Sequence, residues 1–215
     1  MVGQGVIREC LQAADVELVQ TVGRTPTGQQ HPKLRELVHA DLYDTTRIEE
    51  QLTDFDACFF SIGVTSTGMQ EAPYTHLTYG LTLAVASTLV RLNPRMVFIY
   101  VSGVGADASG TSTSMWKRVR GKVENALLAL PFRGVYIFRP GIIQPLDGIR
   151  SKTASYRLFY TLTAPLLSVM RKALPKLVLS TRQVGQAMLA AVRFGAQKRV
   201  LESGDIAALA GKVQP

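Results

Sequence analysis

The chain has 215 residues, 47% of them hydrophobic and 19% charged, with a formal net charge of +8 and a pI near 9.7. This balance is ordinary globular usage, which argues against disorder and against a disulfide scaffold, and the length supplies one core without requiring a second domain. Cys10 and Cys58 stand in no Cys-x-x-Cys or Cys/His spacing, so neither a zinc site nor a redox motif is supported. The opening residues show no leader pattern and no uncharged apolar run is long enough for a membrane span, so a cytoplasmic protein is expected. The basic excess favours phosphate-bearing ligands. Its mild clusters, Lys117-Arg118-Arg120-Lys122 and Arg171-Lys172-Lys176, lack an aromatic platform, and a nucleic-acid partner is not expected.

In chain order, residues 3–11 read as the start of a helix with Val6 and Cys10 inward, and no strand precedes them. Residues 16–22 alternate with period two and stop at Gly23-Arg24-Thr25-Pro26. A shorter strand is predicted over 37–41 and a helical stretch over 45–52. The apolar run 57–63, with Cys58 as a buried thiol, reads as a strand covered on both faces. Tyr74, Leu77, Thr78, Leu81, Ala84, Val85 and Leu89 then recur at helical spacing. Residues 96–101 form the clearest strand and run into Ser102-Gly103-Val104-Gly105. Val119, Val123, Ala126, Leu127 and Leu130 mark another helix, and 135–138 a strand ending at Arg139-Pro140-Gly141. A helix over 181–194 capped by Gly195 and a strand over 199–201 complete the pattern. This alternation predicts one α/β domain over 1–215, a three-layer doubly wound parallel sheet.

In such sheets ligands bind at the carboxyl ends of the strands, and a glycine-rich turn lets a pyrophosphate meet the amino end of the next helix. Met1-Val2-Gly3-Gln4-Gly5 looks like the tail of that turn. Together with Gly23-Arg24, Asp41-Leu42, Ser61-Ile62-Gly63, Tyr100-Val101-Ser102-Gly103 and Arg139-Pro140-Gly141, in order and spacing, it resembles the landmarks of atypical short-chain dehydrogenases/reductases. The most similar subgroup is the NAD-dependent epimerase/dehydratase-like proteins of the Tat-interacting-protein type, over nearly the whole chain. The resemblance implies a Rossmann-type fold and a nicotinamide dinucleotide. Only Gly3 matches the last of the family's three glycines, so a central strand and two glycines would lie ahead of Met1. Without that strand its two neighbours are left with unpaired edges, unless they pair directly.

On the same resemblance Arg24 takes a 2′-phosphate, favouring NADP with NAD possible; a solvated loop arginine is the alternative. Asp41 and Leu42 would sit beside the adenine, although Asp41 also reads as a helix cap. Ser61, Ile62 and Gly63 would run under the cofactor, and Pro140, Gly141 and Ile142 are further cofactor-binding positions. Ser102 matches the family's catalytic serine. Where the family carries Tyr-x-x-x-Lys, this chain has Trp116 and Arg120. A spacing of four keeps the two on one helix face, but an indole cannot act as an acid and arginine stays protonated. Loss of the general acid forfeits about 10²- to 10⁴-fold in rate. Arg120 retains the ability to hold a ribose or phosphate, and Tyr74, His76 or Tyr79 are substitute acids that also read as packing or surface residues. Two functions follow: an NADP(H)-dependent oxidoreductase on a small carbonyl or hydroxyl compound, or a non-catalytic NADP(H)-binding regulatory or scaffold protein. Segment 151–177, apolar with basic flanks and broken by Pro165, is expected to form a cap or lid, with a membrane-surface anchor or a dimer interface as competing uses. A monomer and a homodimer both remain open.

Overall fold

The computed structural model describes residues 1–149 and 177–212, so the expected cap, apart from Leu177, lies outside the described residues. Helix α1 (Val2–Gln12) opens the chain, followed by β1 (Val19–Gly23), β2 (Leu34–Val38) and a 3₁₀ helix (Thr46–Leu52). Strand β3 (Ala57–Phe60) leads to α2 (Glu71–Thr75), which passes through a π turn (His76–Gly80) into α3 (Leu81–Leu92). Then come β4 (Val97–Val101), α4 (Met115–Leu128), β5 (Gly134–Arg139) and β6 (Ile142–Gln144). Past the undescribed stretch lie β7 (Val178–Ser180), α5 (Thr181–Phe194), β8 (Val200–Glu202) and α6 (Ser203–Ala210).

Strand β2 forms three residues earlier than its apolar Leu37-Val38 end suggests. Its ladder is set by β1: Val19 pairs with Leu34 and Gly23 with Val38, closed by the Val19 amide on the Lys33 carbonyl (2.8 Å) and the His39 amide on the Gly23 carbonyl (2.9 Å). Strand β1 starts at Val19 rather than 16 because Lys33 Nζ donates to the Ala13 carbonyl (2.7 Å) and holds residues 13–15 in a turn. Ser180 and Gln183 close a capping box at the start of α5, and Gly195 ends it with a left-handed φ of 68°. The three-residue strands β6 and β7 and the short α6 were not anticipated, since they are too short to show a period.

Three layers assemble from alternation along the strands. Val97, Ile99 and Val101 of β4 join a core with α1, α5 and α6, whereas Phe98 and Tyr100 join a second with α3, α4 and the 3₁₀ helix. Strand β3 divides likewise, Phe59 to the first core and Cys58 with Phe60 to the second, and β1 gives Val19 to one and Val22 to the other. The hydrogen-bonded ladders are nevertheless separate: β1-β2, β3-β4-β5-β8 and β6-β7, all parallel. Thus β1 and β3 share both cores without pairing. Among the described residues β1 and β3 do not pair directly, which leaves the first of the two sequence-based alternatives. All five residues of β1 and the first three of β3 are half-buried, while Val97 to Tyr100 of β4 are buried.

Helix α1 is seated by two glycines. A Cβ on Gly5 would lie 2.7 Å from the Thr181 carbonyl oxygen, and one on Gly185 would lie 2.8 Å from Glu9 Cγ and 3.0 Å from the Gly5 carbonyl oxygen. Backbone meets backbone there, and a methyl group has nowhere to go. Gly5→Ala is therefore expected to cost about 1–3 kcal/mol, read as a lower urea midpoint; an unchanged midpoint would mean that α1 slides freely over α5.

Candidate functional site

Parallel strands end on one edge, and this edge collects most of the residues singled out in the sequence. Strand β3 delivers Ser61, Ile62 and Gly63; β4 delivers Ser102 and Gly103; β5 delivers Pro140, Gly141 and Ile142. The first turn of α1 joins them, since a Cβ on Gly3 would lie 2.7 Å from Ser61 Oγ. No acidic residue occupies that turn and the N-cap residue Met1 makes no side-chain cap hydrogen bond, so the positive end of the helix dipole faces the edge. Gly63 has open space where a Cβ would stand. Ile62 and Ile142 are exposed, Pro140 is buried, and the Gly141 amide donates to Ser203 Oγ at 2.8 Å.

Arg24 stands exposed one residue past β1. Asp41 is not a helix cap: its Oδ1 accepts the Tyr43 amide (2.9 Å) in a local turn, and Asp44 takes the Thr46 amide at the 3₁₀ helix (3.0 Å). Leu42 is half-buried beside it. Tyr43 fastens this loop to the helix after β3, stacking on His76 at 4.7 Å and donating its hydroxyl to the His76 carbonyl at 2.7 Å. Among the described residues no hydrogen bond or ion pair joins Arg24 or Asp41 to Gly3, Ser102 or Arg120.

Behind the edge lies a buried ionic network. Glu124 on α4 has no exposure, and its carboxylate is bound by Arg139 from the end of β5 through Nη2 and through Nε at 3.0 Å. Arg139 reaches Glu202 as well, at 3.2 Å, and these contacts raise its pKa, hydrogen bonding to Glu124 most of all. Ser102, 5% exposed, donates its hydroxyl to Glu124 Oε1 at 2.5 Å. A hydroxyl has one proton, so in this arrangement Ser102 can accept from a ligand but has none left to donate.

Trp116 and Arg120 lie one turn apart on α4, both half-buried, and cover Gly103: a Cβ there would be 3.4 Å from Arg120 Nη1 and 4.0 Å from the indole. Arg120 Nε donates to the Tyr74 hydroxyl at 3.2 Å. Tyr74 is 1% exposed. Burial pushes the neighbouring Tyr100 phenol up to about 12, although the Arg120 charge pulls it down. Of the other substitute acids, His76 is held by Tyr43, and the Tyr79 ring lies under Lys122 Nζ at 4.6 Å.

Sequence reading missed Glu124, whose signal is a carboxylate beside the apolar positions Val123 and Leu127, and it counted Arg139 as a landmark rather than a participant. Cys58 is half-buried, not fully buried as expected, yet burial of the thiol pushes it up to about 12. A cavity of about 580 Å³, lined by Gln4, Arg8, His31 and Asp147 among others, runs along α1 without touching the loops after β3, β4 or β5. Among the described residues no His, Cys, Asp and Glu cluster could hold a metal, and no helix is long and apolar enough to cross a membrane.

No family model matches the chain. It is 30% identical over 97 residues to the mitochondrial protein FMP52-1 of Scheffersomyces stipitis, a stretch covering 45% of this chain and 42% of that one. The chain thus spans less than half the length of the curated relative it matches. Among solved structures it is similar to the enzyme WbmF of Bordetella bronchiseptica in complex with NAD+ (TM-score 0.64, 14% identity, 98% of this chain and 74% of that one). It is also similar to a short-chain dehydrogenase of Burkholderia cenocepacia in complex with NADP (TM-score 0.62, 15% identity, 100% of this chain and 93% of that one). The chain has the Rossmann-type α/β fold of short-chain dehydrogenases/reductases and NAD-dependent epimerases.

Two outcomes test the site's framework. Glu124→Gln, which strands Arg139, is expected to destabilise by about 3–5 kcal/mol, whereas Ser102→Ala should cost about 1.5–3 kcal/mol; equal small losses in urea melts would deny the network its role. The loop leading to Trp116 is held by Asp107, whose carboxyl is lowered to about 2 by hydrogen bonds from Ser109 and from the Ser112 amide. A depressed carboxyl stabilises above its unfolded value, so the loop's order should be complete above about pH 4 and fade as pH falls toward about 2. Amide exchange at Ser109 and Ser112 reads this directly.

Proposed function

We propose that the strand-end edge binds a nicotinamide dinucleotide, NADP(H) in preference to NAD(H), and that the chain is a single-domain oxidoreductase acting on a small carbonyl or hydroxyl compound. The observation that carries this reading is the close approach of Gly3 to Ser61 at a helix start with no acidic residue in its first turn, beside the open Gly63. These residues fit a pyrophosphate: the amino end of α1 supplies N–H donors and a favourable dipole, and a side chain at Gly3 would collide with Ser61. Arg24, exposed one residue past β1, would take a 2′-phosphate, and Asp41 and Leu42 would lie beside the adenine. Ile62 and Ile142, both exposed after the strand ends, would offer apolar contact to a nicotinamide ring, with Ser102, Pro140, Gly141 and Arg120 completing the cofactor-binding positions. When bound, the dinucleotide supplies or accepts a hydride.

A second reading rests on a specific observation. The Ser102 proton is held by Glu124 and position 116 is an indole, so a protein that responds to NADP(H) without turning it over fits the same edge. Trp116 is the sole tryptophan, and its fluorescence should fall saturably as NADPH is added. Arg24→Glu should weaken NADPH by about 10- to 100-fold, the worth of a lost charge-assisted contact, while NADH changes little. Equal effects on the two cofactors would refute the assignment of Arg24. Loss of absorbance at the reduced-nicotinamide band with a carbonyl panel supports the oxidoreductase, and binding without turnover the second reading.

A further inference from the structure

Five arginines among the described residues are half-buried: Arg8, Arg118, Arg120, Arg139 and Arg193. Four have carboxylate partners, namely Glu9 and Asp147 for Arg8, Glu71 for Arg118, Glu124 and Glu202 for Arg139, and Asp15 for Arg193. Among the described residues Arg120 alone has none. The nearest acid along its helix, Glu124, is already bound by Arg139 and Ser102. Partial burial of a cation without a counter-charge is unfavourable, and here it occurs at the edge where a ligand is proposed.

The guanidinium is also aimed. Its Nε is spent on the buried Tyr74 hydroxyl, and its Nη1 lies over Gly103, where the missing Cβ leaves the strand-end loop low. A guanidinium fixed at Nε presents its two Nη groups as a fork, which matches the two oxygens of a carboxylate. Neutral ribose hydroxyls would leave the charge unanswered, and the pyrophosphate is assigned to the start of α1, on the β3 side of the edge.

We propose that Arg120 is the receptor for the carboxylate of an anionic substrate, with Tyr74 as the residue that positions it and Trp116 as the adjoining wall. Calling the anion a substrate rests on the oxidoreductase reading above; the anion site itself does not. The substrate class is then a small oxo or hydroxy acid rather than a neutral carbonyl compound.

Trp116 fluorescence of the 215-residue chain is titrated with pyruvate, with acetone as the neutral counterpart and inorganic phosphate as a competing anion. Pyruvate should give a saturable change and acetone none. Arg120→Gln should weaken pyruvate by about 10- to 100-fold; Arg120→Lys, which keeps the charge and loses the fork, should be intermediate. Tyr74→Phe, which keeps the arginine and frees its Nε, should weaken pyruvate several-fold, an effect that packing alone would not produce. No saturable response, an unchanged affinity in both Arg120 variants, or phosphate bound in preference to pyruvate would each overturn the proposal. NADPH is titrated separately into the unaltered chain. Pyruvate binding without NADPH binding defeats the cofactor reading and leaves the anion site standing; the converse defeats the anion site alone.

Discussion

A carboxylate with no access to water survives only if its charge is answered and its lone pairs are filled. Glu124 meets both conditions by drawing Arg139 from β5 and Ser102 from β4 onto one helix. The ends of two neighbouring strands are thereby tied to α4, and the edge on which most of the candidate residues stand takes its shape from that tie. It also decides which groups remain free. Arg139 and the Ser102 proton are consumed within the framework, leaving Arg120 as the half-buried arginine available to a ligand.

The second constraint is the division of the sheet. A two-stranded ribbon such as β1-β2 is marginal by itself, and here it is kept in register with β3 by side chains instead of a ladder. Val19 and Val22 enter opposite cores, Gln20 Nε2 donates to the Gln51 carbonyl at 2.6 Å, and Tyr43 grips the π turn. Helix α1 touches both β1 and β3, so its glycine-mediated seat on α5 fixes an element that bridges their two ladders. Since the proposed pyrophosphate site is the start of that helix, the seat that stabilises the fold is also the one that orients the cofactor end.

Legibility in the sequence followed length and locality. The α5 helix, its glycine stop and the β4 strand were readable because a long period or an unbroken apolar run survives any tertiary context. Strand β2 was misplaced because its bounds come from five pairings with β1, a partner that sequence pattern does not see. At the site, the departures at Trp116 and Arg120 were evident from spacing alone. Their meaning was not, because Tyr74 lies 46 residues away and Glu124 looked like any charged residue on an amphipathic helix. What a polar group is bonded to is the part that local pattern leaves out, and here it separates a donor from an acceptor.

Proton chemistry at the edge is correspondingly narrow. A carbonyl reduced by hydride must gain a proton at oxygen, and Trp116 carries an indole N–H that can donate a hydrogen bond but cannot serve as an acid. Ser102 is a donor already engaged, Tyr100 is pushed up to about 12 by burial, and Tyr74 is enclosed with its hydroxyl turned to Arg120. The groups left facing the ligand are therefore cationic, aromatic or hydrogen-bond accepting. In the proposed complex they would hold an anion and a ring, and a proton would have to come from water or from the substrate itself.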